Sequence, residues 1–330
     1  MPTSKLSLET LKQKIKNNRD IADTTLNLYI RNIRLMAPII TGKPFHNIDF
    51  IKDYNLVVSK FKEHKVSDSN IKNYCSAILV CLQLNTDYDK ELVKKYRKIM
   101  FDKNMEYQKT RNQKTDKDTQ NWLTKKEMDD TYTKLRKMII ARNLHKPNKK
   151  SYPIGHMDAI LLTELLCCSF YTCLPPRRLK DYVMRGISYD EFLKLDEKIR
   201  DFNNYAVFKN GSVYFSFGDY KTRKTYGVQI NDTLPAKVVY CLKLWRQYYR
   251  NTSYLLLNKY LKPMTSASIN KLVGRMFQHT GKKVTVTMLR HMYATNNPEL
   301  KKYRELKDNA IDTATKMGQS LTQQSEYVKT

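Results

Sequence analysis

The side chains of this chain with the clearest chemical potential are cationic and phenolic. Arg290 stands in Thr285-Val286-Thr287-Met288-Leu289-Arg290-His291-Met292-Tyr293-Ala294-Thr295. Helical spacing there sends Leu289, Met292 and Tyr293 toward a core and leaves Arg290 facing away from it at a fixed place. A lone arginine so placed is ordinarily a solvated or salt-bridged side chain. Two further stretches give it company: Tyr171-Thr172-Cys173-Leu174-Pro175-Pro176-Arg177-Arg178-Leu179-Lys180-Asp181, and the segment from Met317-Gly318-Gln319-Ser320 to Glu326-Tyr327. Guanidiniums stay charged and present planar forks to phosphate oxygens. A lysine ammonium can protonate a departing oxygen, and a tyrosine hydroxyl can attack phosphorus to form a covalent phosphotyrosine. No P-loop pattern occurs, and no acidic constellation has the spacing of a two-metal site. Neither a metal nor a cofactor is expected.

The order of these stretches carries a resemblance. Arg177-Arg178, then Leu289-Arg290-His291 with Ala294-Thr295, then Gly318, Ser320 and Tyr327, resembles the tyrosine recombinase (phage integrase) family. The Pro175-Pro176-Arg177-Arg178 variant looks like versions carried by large DNA viruses and their mobile elements. The resemblance implies a site-specific recombinase or integrase that cuts and rejoins DNA through a 3′-phosphotyrosine. In that family an acid follows the first arginine by three residues, so Arg178 with Asp181 fits and Arg177 is the understudy. Arg290 would be the second arginine, and Tyr327 the nucleophile. A hairpin lysine would be the general acid, a place matched by Lys221, with Lys224 as its substitute.

Two positions depart from the family pattern. Thr287 stands where a histidine usually precedes the second arginine, and Gln319 stands where histidine or tryptophan follows the glycine. Gln319 can still donate a neutral hydrogen bond to phosphate, whereas Thr287 cannot accept a proton as imidazole does. Losing one such donor typically costs about 3 kcal/mol of transition-state stabilisation, so a slow enzyme is expected. His291 is expected to serve packing. A type IB topoisomerase shares the Arg, Lys, Arg and Tyr chemistry, and a DNA-binding relic of a recombinase is a third reading.

These residues need elements to hold them. The 330 residues allow one large or two ordinary domains. Sixty Lys and Arg against thirty-two Asp and Glu give a formal charge of +28, which points to a polyanion partner. With no signal pattern, long apolar run or lipidation motif, duplex DNA is favoured over a membrane. The six cysteines form no C-x-x-C pair, so they read as reduced core residues of an intracellular protein. Nucleus and viral replication compartment stay open as locations.

The fold class expected is mainly α with a small antiparallel β-sheet. Residues 1–101 carry helical stripes (Leu26, Tyr29, Ile30, Ile33 and Met36 in the first) and read as a helical, DNA-clamping domain of the core-binding kind. Arg31 and Arg34 lie off that first stripe, available to DNA. Residues 102–121 lose aliphatic periodicity and read as a basic linker. A Thr124–Glu127 capping box then helps open a catalytic domain over 122–330. In it, an apolar helix ends at Pro175-Pro176, and a hairpin turns at Asn210-Gly211. A third strand is expected at 226–230, and the helices 299–306 and 308–317 near the end. The family implies a homo-oligomer, a tetramer on paired DNA sites. Only three residues follow Tyr327, so the end is expected to order on assembly.

Overall fold

The computed structural model describes residues 7–84, 88–110, 113–146, 154–249 and 254–318. Gln319 and Tyr327 lie outside the described residues, and so does the rest of the end segment. The chain divides into two compact units, Met1–Lys114 and Thr115–Thr330.

The first unit contains helices and no strand among its described residues. Helix α1 (Leu8–Asn18), absent from the sequence reading, is opened by Ser7, whose hydroxyl accepts from the Thr10 amide, and buries only Leu11 and Ile15. So thin a stripe in a lysine-rich stretch gives little periodic signal. Helix α2 (Asp23–Thr41) buries Leu26, Ile33, Met36, Ala37 and Ile40, and ends at Gly42 in the left-handed region. A 3₁₀ turn at Asp49–Lys52 precedes α3 (Tyr54–Glu63). Helix α4 (Asp68–Leu82) is buried on most sides, and α5 (Lys90–Thr110) packs along it. Tyr96 of α5 is fully buried and donates its hydroxyl to the Ile51 carbonyl at 2.8 Å.

The expected linker at 102–121 is mostly helix. Helix α5 continues to Thr110, and Thr115 opens α6 (Asp116–Asn121) through a capping box with Asp118. Polar contacts support the end of α5 where aliphatic residues thin out: Lys103 pairs with Asp68 at 3.0 Å and with Glu106 at 2.7 Å. Lys72 also reaches Asn104 at 2.6 Å.

In the second unit α7 (Lys125–Ala141) starts at the expected Thr124–Glu127 capping box. Helix α8 (His156–Thr172) is apolar nearly all round and buried over most of its length. The sheet runs β1 (Arg185–Ser188), β2 (Asn204–Lys209), β3 (Ser212–Phe217), β4 (Gln229–Asn231), in that order across it. Strands β2, β3 and β4 are antiparallel, but β1 lies parallel to β2. The sheet is therefore mixed, not antiparallel. Short helices α9 (Tyr189–Leu193) and α10 (Glu197–Asp201) make the crossover between the parallel pair. Strand β1 escaped the sequence reading because Arg185-Gly186-Ile187-Ser188 is short and lacks alternation. A Cβ at its Gly186 would stand 3.2 Å from the Leu255 and Trp245 side chains, tighter than ordinary contact.

The hairpin turns at Asn210 (φ 43°) and Gly211 (φ 81°), the two successive left-handed residues that suit a tight antiparallel connection. Tyr226 ends a short helix α11 (Arg223–Tyr226) instead of opening a strand, and Gly227 at φ 67° breaks the chain before β4. Helices α12 (Ala236–Tyr248), α13 (Ser266–Met276) and α14 (Val286–Asn296) follow. The two helices expected near the end are one, α15 (Pro298–Lys316). An Arg304–Asp308 ion pair bridges the expected break one turn apart at 3.9 Å. Phe170, Tyr182, Phe215 and Phe217 form the aromatic centre of this unit, with Phe170 and Tyr182 stacked 4.8 Å apart.

Candidate functional site

Helix α8 fixes the first arginine pair. Its buried face anchors it, and Pro175-Pro176 cannot continue the helical hydrogen bonding, so the chain turns out of the core at Arg177. The Arg177 side chain has partners within its own unit. Its Nε donates to Asp181 Oδ2 at 3.0 Å and its Nη1 to Gln229 Oε1 at 2.9 Å. Its guanidinium also lies 3.9 Å from the Phe217 ring centre and 5.1 Å from that of Tyr220. Arg177, expected as understudy to Arg178 and as a DNA contact, is thus engaged by stacking and two hydrogen bonds within this unit.

Arg178 differs from its neighbour. It caps a 3₁₀ turn at Leu179–Tyr182 through its backbone, and its half-buried side chain forms no hydrogen bond or ion pair with any described residue. Asp181, the acid three residues after Arg178, pairs instead with Arg177. Burial pushes the Asp181 carboxyl above the usual carboxylate range, with both arginines opposing that shift. Two guanidiniums thus lie near one buried carboxyl.

Helix α14 delivers Arg290 to the same turn. Val286, Met288, Leu289 and Met292 are buried against the core, and Asn270 Oδ1 accepts from the Val286 amide at 3.1 Å to fix the helix start. Arg290 then donates Nε to the Pro176 carbonyl at 3.2 Å, joining stretches 114 residues apart. That bond leaves its terminal nitrogens for another partner. Tyr293, expected in the core, is 40% exposed. His291, expected to pack, is exposed, and so is Thr287. Spacings of three and four residues put Thr287, Arg290 and His291 on one side of the helix.

The lysine loop is clamped from below. Buried Asn204 donates to the carbonyls of Asp181 at 3.1 Å and Asp219 at 2.8 Å, and accepts from the amides of Gly218 and Asp219. A Cβ at Gly218 would collide with the Asp201 carbonyl and lie 2.7 Å from that of Asn203, so only glycine fits. Tyr220 is buried and donates its hydroxyl to the Gly227 carbonyl at 2.7 Å, closing the loop. Lys221 and Lys224 are exposed. Arg223 between them lies 3.8 Å above the Phe202 ring. The Tyr220 ring touching Arg177 thus joins the Lys221 loop to the arginine turn. Asn204, Gln229 and Gly218 were missed from the sequence; an asparagine at a strand start and a glycine just after a strand are its only signals.

In the first unit Arg31 and Arg34 are exposed on α2, away from its buried stripe. Beside the arginine turn an apolar groove of about 750 Å³ runs between Leu174-Pro175-Pro176 and Leu289, Met292 and Tyr293. Among the described residues no group of three or more His, Cys, Asp or Glu side chains could hold a metal ion. Five of the six cysteines are buried; desolvation pushes the thiols of Cys75, Cys81 and Cys241 up to about 12, so they are poor nucleophiles. No described helix is long and apolar enough to cross a membrane. No family model, curated protein or solved structure matches the chain.

Proposed function

We propose that the chain is a site-specific DNA recombinase of the tyrosine type, acting on duplex DNA as a homo-oligomer. The observation that carries the reading is the Arg290–Pro176 hydrogen bond, which puts the second arginine beside the turn that bears Arg178. Arg178 and the free end of Arg290 hold the non-bridging oxygens of the scissile phosphate as charge develops on them. Tyr327 Oη bonds to phosphorus and gives up its proton to water. The bond from phosphorus to the 5′ oxygen breaks, and that oxygen takes a proton from the Lys221 ammonium. The 3′-phosphotyrosine retains the energy needed for rejoining. Gln319 contributes a neutral donor to the phosphate, and Arg31, Arg34 and Lys224 lie along the DNA backbone.

The test is a nicked duplex cut from the ends of the element that encodes the protein, from which the cleaved strand end diffuses away. A covalent protein–DNA band should form with wild type and vanish with Tyr327→Phe, Arg178→Ala or Arg290→Ala. A second reading, a DNA-binding relic, is favoured by the exposed Thr287 in place of an imidazole beside Arg290. It gives binding without any covalent band. A type IB topoisomerase would relax a plasmid as a monomer, so relaxation independent of a specific site would replace the recombinase reading.

A further inference from the structure

We propose that Arg177 is a positioning residue that sets Lys221 against the leaving oxygen, not a ligand of the phosphate. This rests on the recombinase reading above. Among the described residues, the Arg177 side chain touches all three parts of the arrangement. It pairs with Asp181 in the turn that carries Arg178, it bonds Gln229 at the head of β4, and it stacks on Phe217 and Tyr220. Tyr220 is followed directly by Lys221, and Gln229 closes the loop on its other side. The loop is thus held at both ends by one guanidinium, itself only 25% exposed.

A planar fork suits this task because its hydrogen bonds and its stacked face act at once. The Asn204 clamp fixes the backbone at Gly218 and Asp219, and Lys180 of the arginine turn pairs with Asp219 at 2.8 Å on the exposed side; Arg177 adds the contact to the Tyr220 ring, directly beside Lys221. Loosening Arg177 therefore moves Lys221 relative to the phosphate while leaving Arg178 capping its own turn. Misplacement of a reacting group by about 1 Å can cost about 100-fold in rate.

The experiment compares cleavage of two nicked substrates, one with the natural 5′ oxygen at the scissile bond and one with sulfur there. Sulfur departs as a thiolate without a proton, so its cleavage does not need Lys221. Two variants are used with the full chain: Arg177→Met, and Gln229→Leu, which leaves the Arg177–Asp181 pair intact if the first fails to fold. Both should bind DNA as wild type does. Both should cleave the oxygen substrate more slowly, by about 100-fold for Arg177→Met, and recover toward the wild-type rate on sulfur, as Lys221→Ala should. Equal loss on both substrates would overturn the proposal, because Arg177 would then act on the phosphate itself or on the fold alone. Wild-type rates on both substrates would overturn it as well. Absence of any Tyr327-dependent adduct with wild type on either substrate would sink the recombinase reading instead, and the positioning role with it.

Discussion

Adjacent arginines at 177 and 178 have opposite fates, and the difference is set by neighbours. Arg177 lies over Phe217 and within reach of Asp181 and Gln229, whereas Arg178 has no such partner among the described residues. The same reasoning applies to the imidazole gap. Thr287 and His291 share the outward side of α14 with Arg290, and both are exposed. Installing the missing donors, Thr287→His with Gln319→His, should raise adduct formation by up to about 100-fold, the equivalent of one donor of about 3 kcal/mol. A slower double variant would mean that another group already does this work. His291→Ala should then be tried, since its ring is exposed and free of core packing. A cleavage rate unchanged by His291→Ala would remove it from consideration.

At the scale of elements, contacts distant in sequence hold the second unit in place. Glu127 in the first turn of α7 accepts from Lys282 at 2.6 Å and 2.8 Å while capping Thr124. The Lys282 hydrogen bond, then the backbone bond from Thr124, lower the Glu127 carboxyl from 4.5 to about 2. A carboxyl depressed by folding adds stability that is fully present above its unfolded value and is lost as pH falls through its folded one. Wild-type stability should therefore decline between about 4.5 and about 2, and Lys282→Met should flatten that part of the profile in thermal unfolding. An unchanged acid limb in the variant would contradict the pairing. Gly218→Ala should lower stability by about 1–3 kcal/mol, the usual result of overpacking, and displace the Lys221 loop. Wild-type melting behaviour would show that the loop yields without cost.

Much at this scale was legible in the sequence. The stripes of α2, α4 and α8, the Thr124 capping box and the Asn210-Gly211 turn are local patterns, and each produced its element. What stayed hidden depended on distant partners. The strand β1 is defined by its pairing with β2, and α5 past Asp102 is supported by Lys103 and Lys72 contacts rather than an apolar stripe. Arg290 as an outward-facing arginine was legible from helical spacing. The inward commitment of Arg177 was not, because it depends on Phe217 and Gln229, forty and more residues further along.

For the whole molecule the dominant property is a formal charge of +28. If about six phosphates are contacted, apparent affinity for duplex DNA should fall by about five log units for each tenfold rise in salt. A flat response would remove the nucleic-acid partner from the account. Exposed Arg31 and Arg34 belong to this term, so the double change to alanine should reduce the slope by about two while sparing stability. Binding alone does not distinguish the proposed recombinase, however; in the proposed reaction one tyrosine among 23 takes the DNA strand onto itself. Its most direct test is to trap the adduct on a nicked duplex, trim the DNA with nuclease and locate the nucleotide by peptide mapping. The nucleotide should be found on Tyr327, joined through its 3′ phosphate; attachment at any other residue, or no attachment while the protein binds the same duplex tightly, would overturn the recombinase reading.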